Sequence, residues 1–382
     1  MDFNYSNEQL ALQDTLQRFI ARDYGFERRR ELSRSALGFS AEAWAQYADL
    51  GLLSLPFPEE FGGLGGNAVD IMLVMELFGR GLLLEPFLST IVMCGGLIRD
   101  AASEPLKRTM LPRIGAGEIK LALACYEAAG RYELSRVACA AVQSAGGWRL
   151  SGRKTVVLDA PSADYFLVSA RTGGDAAERE GISLFLVGRE TAGATTFEYS
   201  TQSGSRAADL HLENVVVDAS ALIGPPERGL AIVERAVDRG IAALCAEAVG
   251  IIAALNEATL NYLKTRKQFG MPIGKFQALQ HRMADMFIAA EQARSMAVIA
   301  AVHADSDDAA ERRRAVSGAK AYMGQAARFV GQQAVQMHGA MGVVDDYIVS
   351  HYFKRLTMID LSLGDTDFHL ARFSDMPACK PD

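Results

Sequence analysis

The chain reads as an α+β protein in three consecutive parts: helices, then strands, then a helical bundle. Apolar residues recur at three- and four-residue spacing towards both ends, and short alternating runs between turn residues fill the middle. A length of 382 residues suffices for two or three domains, and 49% hydrophobic with 22% charged residues is ordinary globular composition. The expected division is 1–118, an N-terminal helical domain; 119–225, a central antiparallel β domain of sandwich or barrel type; and 226–382, a C-terminal four-helix bundle.

The elements follow in order. Ser6 with Gln9 forms a capping box, and Leu10, Leu12, Leu16, Phe19 and Ile20 continue as one apolar face. Trp44, Tyr47 and Leu50 mark a second helix that stops at Gly51, and Val69 to Phe78 a third. Pro105 opens a short helix ending near Gly115. The runs "IKLALACY", "RVACAAVQ", "WRLSG", "YFLVSA", "ISLFLV", "TTFEYS" and "ADLHLENVVV" predict strands, and "RTGGDAAEREG" a polar surface loop. Leu230, Val233, Val237, Ile241, Leu244, Ala248, Ile251 and Leu255 then make one very long helix. Phe276 to Ala290 gives the next, and two more are expected around 309–338 and 345–361.

A net charge of −7 and a pI near 5.5 give no global attraction to nucleic acid. Cys94, Cys125, Cys139, Cys245 and Cys379 are odd in number and form no CxxC pair, which argues against a disulfide framework or a metal site. The N-terminus lacks a signal pattern, and the apolar run Gly240 to Leu255 carries Glu247 with helical period. The expectation is a cytoplasmic protein with no membrane span.

The stretch "YLKTRKQFGMPIGKFQALQHRMADM" interrupts two long helices with a basic pair, an aromatic and a glycine. Arg266 and Gln268 at a helix end suit a diphosphate, because a guanidinium forks onto phosphate oxygens, and Phe269 offers a face to a flat ring. The same residues also suit a solvated basic helix end that complements the helix dipole, and on physics alone this second reading is favoured.

The segment "RKQFGMPIGKFQALQHRMADM" resembles the most recognisable motif of the acyl-CoA dehydrogenase family, and the resemblance extends over the whole chain. "AVQMHGAMGVVDDY" is similar to the family's Gln-x-x-Gly-Gly-x-Gly segment, and "GRKTVVLDAPSADYFLVSAR" to the strand beside the flavin. "GDTDFH" (Gly364 to His369) resembles a bacterial branch whose members are often paired subunits acting on pimeloyl-type or steroid side-chain thioesters. The resemblance implies FAD, an acyl-CoA substrate, an electron-transfer flavoprotein or similar acceptor, and a homotetramer or α2β2 heterotetramer. It implies that Arg266, Gln268 and Phe269 reach a neighbour's FAD. Gln336 and Gly339 match adenine and pyrophosphate contacts, and Thr366 a threonine near the flavin.

The departures are specific. The family's flavin loop Thr-Glu-Pro-Gly-Ala-Gly-Ser appears as "YEAAGRY", with Tyr126 where a hydroxyl often binds the ring and Tyr132 in place of the serine. The ring-covering Trp-x-Thr is Val156-x-Leu158. Most members place the catalytic glutamate where this chain has Gly364, whose N–H is left to help polarise the thioester carbonyl. A minority carries the glutamate on the first bundle helix before an arginine, which here is Asp238 followed by Arg239, the latter assigned to the substrate. An acyl chain beside Val237 and Ile241 would dehydrate the Asp238 carboxylate and strengthen it as a base. The competing reading is a helix aspartate paired with Arg235. Glu247 is the weaker second candidate for the base. His338 and His369 are expected to be hydrogen-bonding bundle residues.

Three functions follow from this reading. The first is FAD-dependent α,β-dehydrogenation of an acyl-CoA, in fatty acid or steroid side-chain catabolism. The second is a supporting, non-catalytic subunit in a heterotetramer. The third is a flavin oxidase on the same fold, which would release peroxide without an added acceptor.

Overall fold

The computed structural model describes residues 5–375. The helices in chain order are α1 (Asn7–Asp23), α2 (Phe26–Arg34), α3 (Ala41–Asp49), α4 (Ala68–Gly81), α5 (Gly96–Ala101) and α6 (Glu104–Gly115) before the strands. After them come α7 (Gly229–Thr265), α8 (Gln277–His303), α9 (Ala309–His338), α10 (Ile348–Leu361) and α11 (Thr366–Ser374). The strands are β1 (Leu121–Ala124), β2 (Ala140–Ser144), β3 (Gly147–Leu158), β4 (Tyr165–Arg171), β5 (Ile182–Gly188), β6 (Ala194–Ser200), β7 (Arg206–Asp218) and β8 (Leu222–Ile223). A two-stranded hairpin, β9 (Lys267–Gln268) and β10 (Met271–Pro272), follows α7.

Contacts divide the chain into two compact units. One compact unit holds the chain up to Glu31, Ala68–Leu83 and the chain from Ile241; the other holds Leu32–Asn67 and Leu84–Gly240. Residues of the segment 1–118 contribute to both units. Helix α4 packs against α1 and α8, whereas the segment Leu88–Gly95 packs against β1 and against α5 and α6.

In the helical unit, α1 starts as expected: the Ser6 N–H donates to Gln9 Oε1 at 2.9 Å and the Gln9 N–H to Ser6 Oγ at 3.2 Å. Leu16 and Phe19 face the core, while Leu10 is left largely exposed. Helix α4 lies directly against α7, and the contact depends on two glycines. A Cβ on Gly79 would stand 2.0 Å from the Glu247 carbonyl oxygen, and one on Gly250 would stand 1.8 Å from that of Glu76. Helix α7 is long and apolar enough to cross a membrane, yet 78% of its most apolar window is buried inside the protein. The four expected bundle helices α7 to α10 are joined by α11, which the sequence reading did not predict.

In the other unit, β1 to β8 form one eight-stranded sheet in the order β6-β7-β3-β2-β4-β5-β8, with β1 beside β4. Most pairs are antiparallel, as the sequence pattern predicts, and β1 with β4 and β2 with β4 are parallel. All seven predicted strands are present. The apolar alternation that predicts them buries Leu150, Phe166, Val168, Phe185 and Leu210 in one core. A π-helical turn, Leu88–Gly95, went unread because its residues are apolar without a 3.6-residue period. Cys94, Cys125, Cys139 and Cys245 are buried free thiols, and Cys379 lies outside the described residues.

Candidate active site

The expected site residues fall in both units, and each set is described by itself. In the helical unit α7 ends at Thr265, and the Arg266–Gly270 stretch is a tight hairpin. Gln268 pairs with Met271 and Lys267 with Pro272 across a two-residue turn. Phe269 and Gly270 form that turn with φ of 53° and 78°. Two left-handed residues make a type I′ turn, normally built from Asn-Gly, so a phenylalanine there is strained. Phe269 is 86% exposed, meets the Phe276 ring edge-on, and stands beside exposed Arg266 and Gln268.

The end of α9 packs near this hairpin's root. The His338 and Tyr262 rings lie 4.5 Å apart. Burial holds His338 below its ordinary range, so the ring is neutral; its Nδ1–H donates to the Ala334 carbonyl at 2.8 Å. Gly339 then ends α9 with φ 60° and ψ −138°, a conformation open in practice only to glycine. A Cβ there would meet nothing within 4 Å, so the backbone faces open space beside exposed Gln336. Exposed Arg266, Gln268 and Gln336, with bare backbone at Gly339, suit an anionic dinucleotide.

The "GDTDFH" segment is packed tightly. Thr366 is buried and its hydroxyl donates to Asp360 Oδ1 at 2.7 Å. Lys320, fully buried on α9, donates to the carbonyls of Asp360 (2.9 Å) and Gly364 (2.6 Å). Burial lowers the Lys320 ammonium to about 8. Gly364 has φ 113°, and a Cβ on it would stand 2.4 Å from His369 Nε2 and 2.6 Å from Phe368 Cδ1. The position a Cβ would take at Gly364 is thus occupied by the His369 and Phe368 rings.

Glu247 is not available as a free base. Arg355 Nε and Nη2 donate to its two oxygens at 2.6 and 2.7 Å, a bidentate pair between α7 and α10. Breaking such a buried pair strands a charge, which fits a structural role.

In the strand-rich unit Asp238 is fully buried near the start of α7. Its neighbour Arg239, also buried, pairs with Asp100, and Arg235 approaches the same carboxylate at 3.4 Å. Burial would raise the Asp100 carboxyl, but the Arg239 and Arg99 guanidiniums outweigh it and hold it below the usual range. Asp100 was not predicted; it lies on α5, far from Arg239 in sequence.

The flavin-loop matches are adjacent in the same unit, since the Thr155 N–H donates to the Tyr126 carbonyl at 2.9 Å. Val156 sits at φ 52°, at a register shift of β3 against β7, and is 52% exposed. Its N–H donates to Asp209 Oδ1 at 3.1 Å, and the Tyr199 hydroxyl donates to the same oxygen at 3.2 Å. Burial, then Asp209, pushes Tyr199 up to about 12. Leu158 is half-buried and carries no donor on its side chain. The loop from Tyr126 is fixed by Glu127, which accepts from buried Lys154 (2.7 Å) and from the Ala138 and Cys139 amides. A glutamate and a lysine 27 residues apart give no local sequence signal for this pair.

Sequence models of one family cover nearly the whole chain: "Acyl-CoA dehydrogenase, N-terminal domain" at 6–118, "middle domain" at 122–215 and "C-terminal domain" at 227–374. A solved variant of the Tcur3481–Tcur3483 steroid ACAD is 30% identical, with a TM-score of 0.87 and 97% of each chain covered. The chain belongs to the acyl-CoA dehydrogenase family. It is similar to acyl-CoA dehydrogenase FadE27 of Mycobacterium tuberculosis (strain ATCC 25618 / H37Rv), 29% identical over 355 residues, 91% of this chain and 90% of that protein. The ChsE4–ChsE5 complex from Mycobacterium tuberculosis aligns with a TM-score of 0.88 at 26% identity, covering 99% and 100% of the two chains. As an acyl-CoA dehydrogenase the chain is a flavin-dependent oxidoreductase, and the family implies FAD. The hairpin and the Gly339 backbone fit the dinucleotide part of FAD. Around Val156 and Leu158 the chain presents an apolar wall whose Val156 N–H already has Asp209 as partner.

Proposed function

We propose that the chain dehydrogenates an acyl-CoA thioester to the trans-2-enoyl-CoA, with Asp238 taking the α-proton and a separate electron-transfer flavoprotein as acceptor. FAD, when bound, accepts the β-hydride. Arg266, Gln268 and Phe269, with Gln336 and Gly339 on the same unit, hold the dinucleotide of a neighbour's FAD, and Thr366 is assigned to the flavin; in the strand-rich unit Tyr126, Val156 and Leu158 are assigned to the flavin ring. Arg239 keeps the Asp238 turn in place through Asp100. The observation that carries the reading is the fully buried Asp238 beside that ion pair. Dehydration makes a carboxylate a stronger base.

The assembly is a tetramer, of this chain or two-plus-two with a homologue. Phe287, Ile288, Ile299 and Val302 on α8 are largely exposed, which supports a covering subunit. A second reading, a supporting subunit in a heterotetramer, is favoured by one observation. Val156 N–H and the Thr366 hydroxyl already have carboxylate partners, while the dinucleotide residues are open. Purifying the chain with and without a homologous subunit decides between them. The first reading requires a yellow protein that acyl-CoA bleaches anaerobically; a colourless chain that acquires bleachable flavin only with the partner supports the second.

A further inference from the structure

Between the C-terminal end of α7, the exit of the β9–β10 hairpin and the first turns of α8 lies an apolar slot of about 630 Å³. Leu260 and Leu263 on α7, Pro272 and Gly274 at the hairpin exit, and Met283 and Phe287 on α8 line it. Its hairpin wall is firmly held. A Cβ on Gly274 would stand 2.9 Å from the Leu263 carbonyl oxygen, and Gln280 Nε2 donates to the Gly274 carbonyl at 3.0 Å. Lys264 and Lys275 stand at the slot, both exposed, and neither has an ion-pair partner among the described residues.

The α8 face beside the slot carries what the slot lacks. Gln280, Ala284, Phe287 and Glu291 follow at spacings of four, three and four, so they share one side of the helix. Phe287 is 61% exposed and Ile288 beside it 54%. Glu291 is exposed and has no ion-pair partner among the described residues. Slot, cations, aromatic ring and anion thus lie together on one chain. A two-fold contact needs this arrangement, because each copy gives what the other receives. Antiparallel α8 helices crossing at Met283 and Ala284 set Phe287 of one copy opposite Gln280 of the other, and Glu291 opposite Phe276, next to Lys275. Ala284 is exposed and ends at its Cβ, so two helices can approach closely there.

We propose that α8 of a second copy of this chain lies antiparallel across the slot, with the partner's Phe287 in the slot and the partner's Glu291 against Lys264 and Lys275. The inference rests on the assembly reading above and names the surface and the occupant. An exposed phenylalanine leaves water for an apolar slot on each side of the two-fold axis, so the gain is made twice. The charges fix the register, since a parallel arrangement would set two Glu291 side chains opposite each other. Pro272 belongs both to the slot and to the hairpin that carries Arg266 and Phe269, so an occupied slot braces that hairpin.

The test is sedimentation velocity of the FAD-loaded full chain over a dilution series, with thermal melting to follow the fold. Glu291→Lys, and separately Lys264→Glu with Lys275→Glu, are each expected to weaken self-association by about tenfold or more, because like charges then face each other. Combining all three substitutions in one chain should restore self-association to within about threefold of wild type, which independent structural roles would not do. Phe287→Ser should weaken it by about tenfold or more, without rescue. Wild-type self-association in Phe287→Ser and in both charge reversals overturns the proposal. So does a combined chain that melts like wild type yet does not recover. If Phe287→Ser fails to fold, the charge reversals decide alone. A wild-type chain that is monomeric alone but assembles with a homologous subunit makes that subunit the occupant, which overturns the second-copy inference and leaves the assembly reading standing. A chain that is monomeric in both cases overturns the assembly reading as well.

Discussion

Two turns in the helical unit share one backbone problem and solve it oppositely. Phe269-Gly270 and Leu363-Gly364 each place a bulky residue and a glycine at successive positive φ. At the first, Phe269 is 86% exposed, and the turn is held by the short β9–β10 pairing with the Phe276 ring edge-on to Phe269. At the second, both residues are buried, Lys320 and His369 hold the carbonyls, and Phe368 closes over the glycine. An exposed strained turn suits a loop that must meet something outside its own subunit. A clamped strained turn suits a backbone that keeps one conformation.

The largest expected effect tests the clamped turn. Gly364→Glu restores the residue most relatives carry, yet its Cβ must enter the space of His369 Nε2. Overpacking plus the φ 113° backbone should destabilise the protein by on the order of 3 kcal/mol, and activity should not be rescued. A well-folded, more active variant, judged by thermal melting and flavin reduction, would break the contrast.

The next effect belongs to the exposed turn. Arg266→Ala should leave the fold unchanged and weaken FAD retention by about 1.5–3 kcal/mol, ten- to a hundredfold or more, through loss of a charge-assisted phosphate contact. Equal FAD loss on dilution from wild type and variant would remove Arg266 from the site. The smallest effect sharpens the comparison: Phe269→Asn suits the type I′ turn, so it should raise stability by roughly 1 kcal/mol while loosening FAD. If stability falls instead, Phe269 packs for the fold and not for the ligand.

The legible parts of the molecule were those with local causes. The Ser6–Gln9 cap, the stop at Gly51, the seven alternating runs and the break at Arg266–Gly270 each follow from neighbouring residues. What escaped depends on partners distant in sequence. The parallel pairing of β1 with β4 is one case, and the split of the first 118 residues between two units is another. At the site, Asp100 for Arg239, Asp209 for the Val156 amide, Glu127 for Lys154 and Arg355 for Glu247 are all long-range. The motif "GDTDFH" was visible as a resemblance, but its physical content was not. His369 folds back six residues to Leu363, and Lys320 arrives from α9.

The proposed dehydrogenation depends most directly on the base. Anaerobic stopped-flow of the FAD-loaded protein with an acyl-CoA should bleach the flavin, and Asp238→Asn should slow that step by at least ~100-fold. FAD content and assembly should stay near those of wild type, because the change is nearly isosteric. Reduction at the wild-type rate in Asp238→Asn would contradict the account, as would a wild-type chain that is never reduced unless a homologous subunit is added.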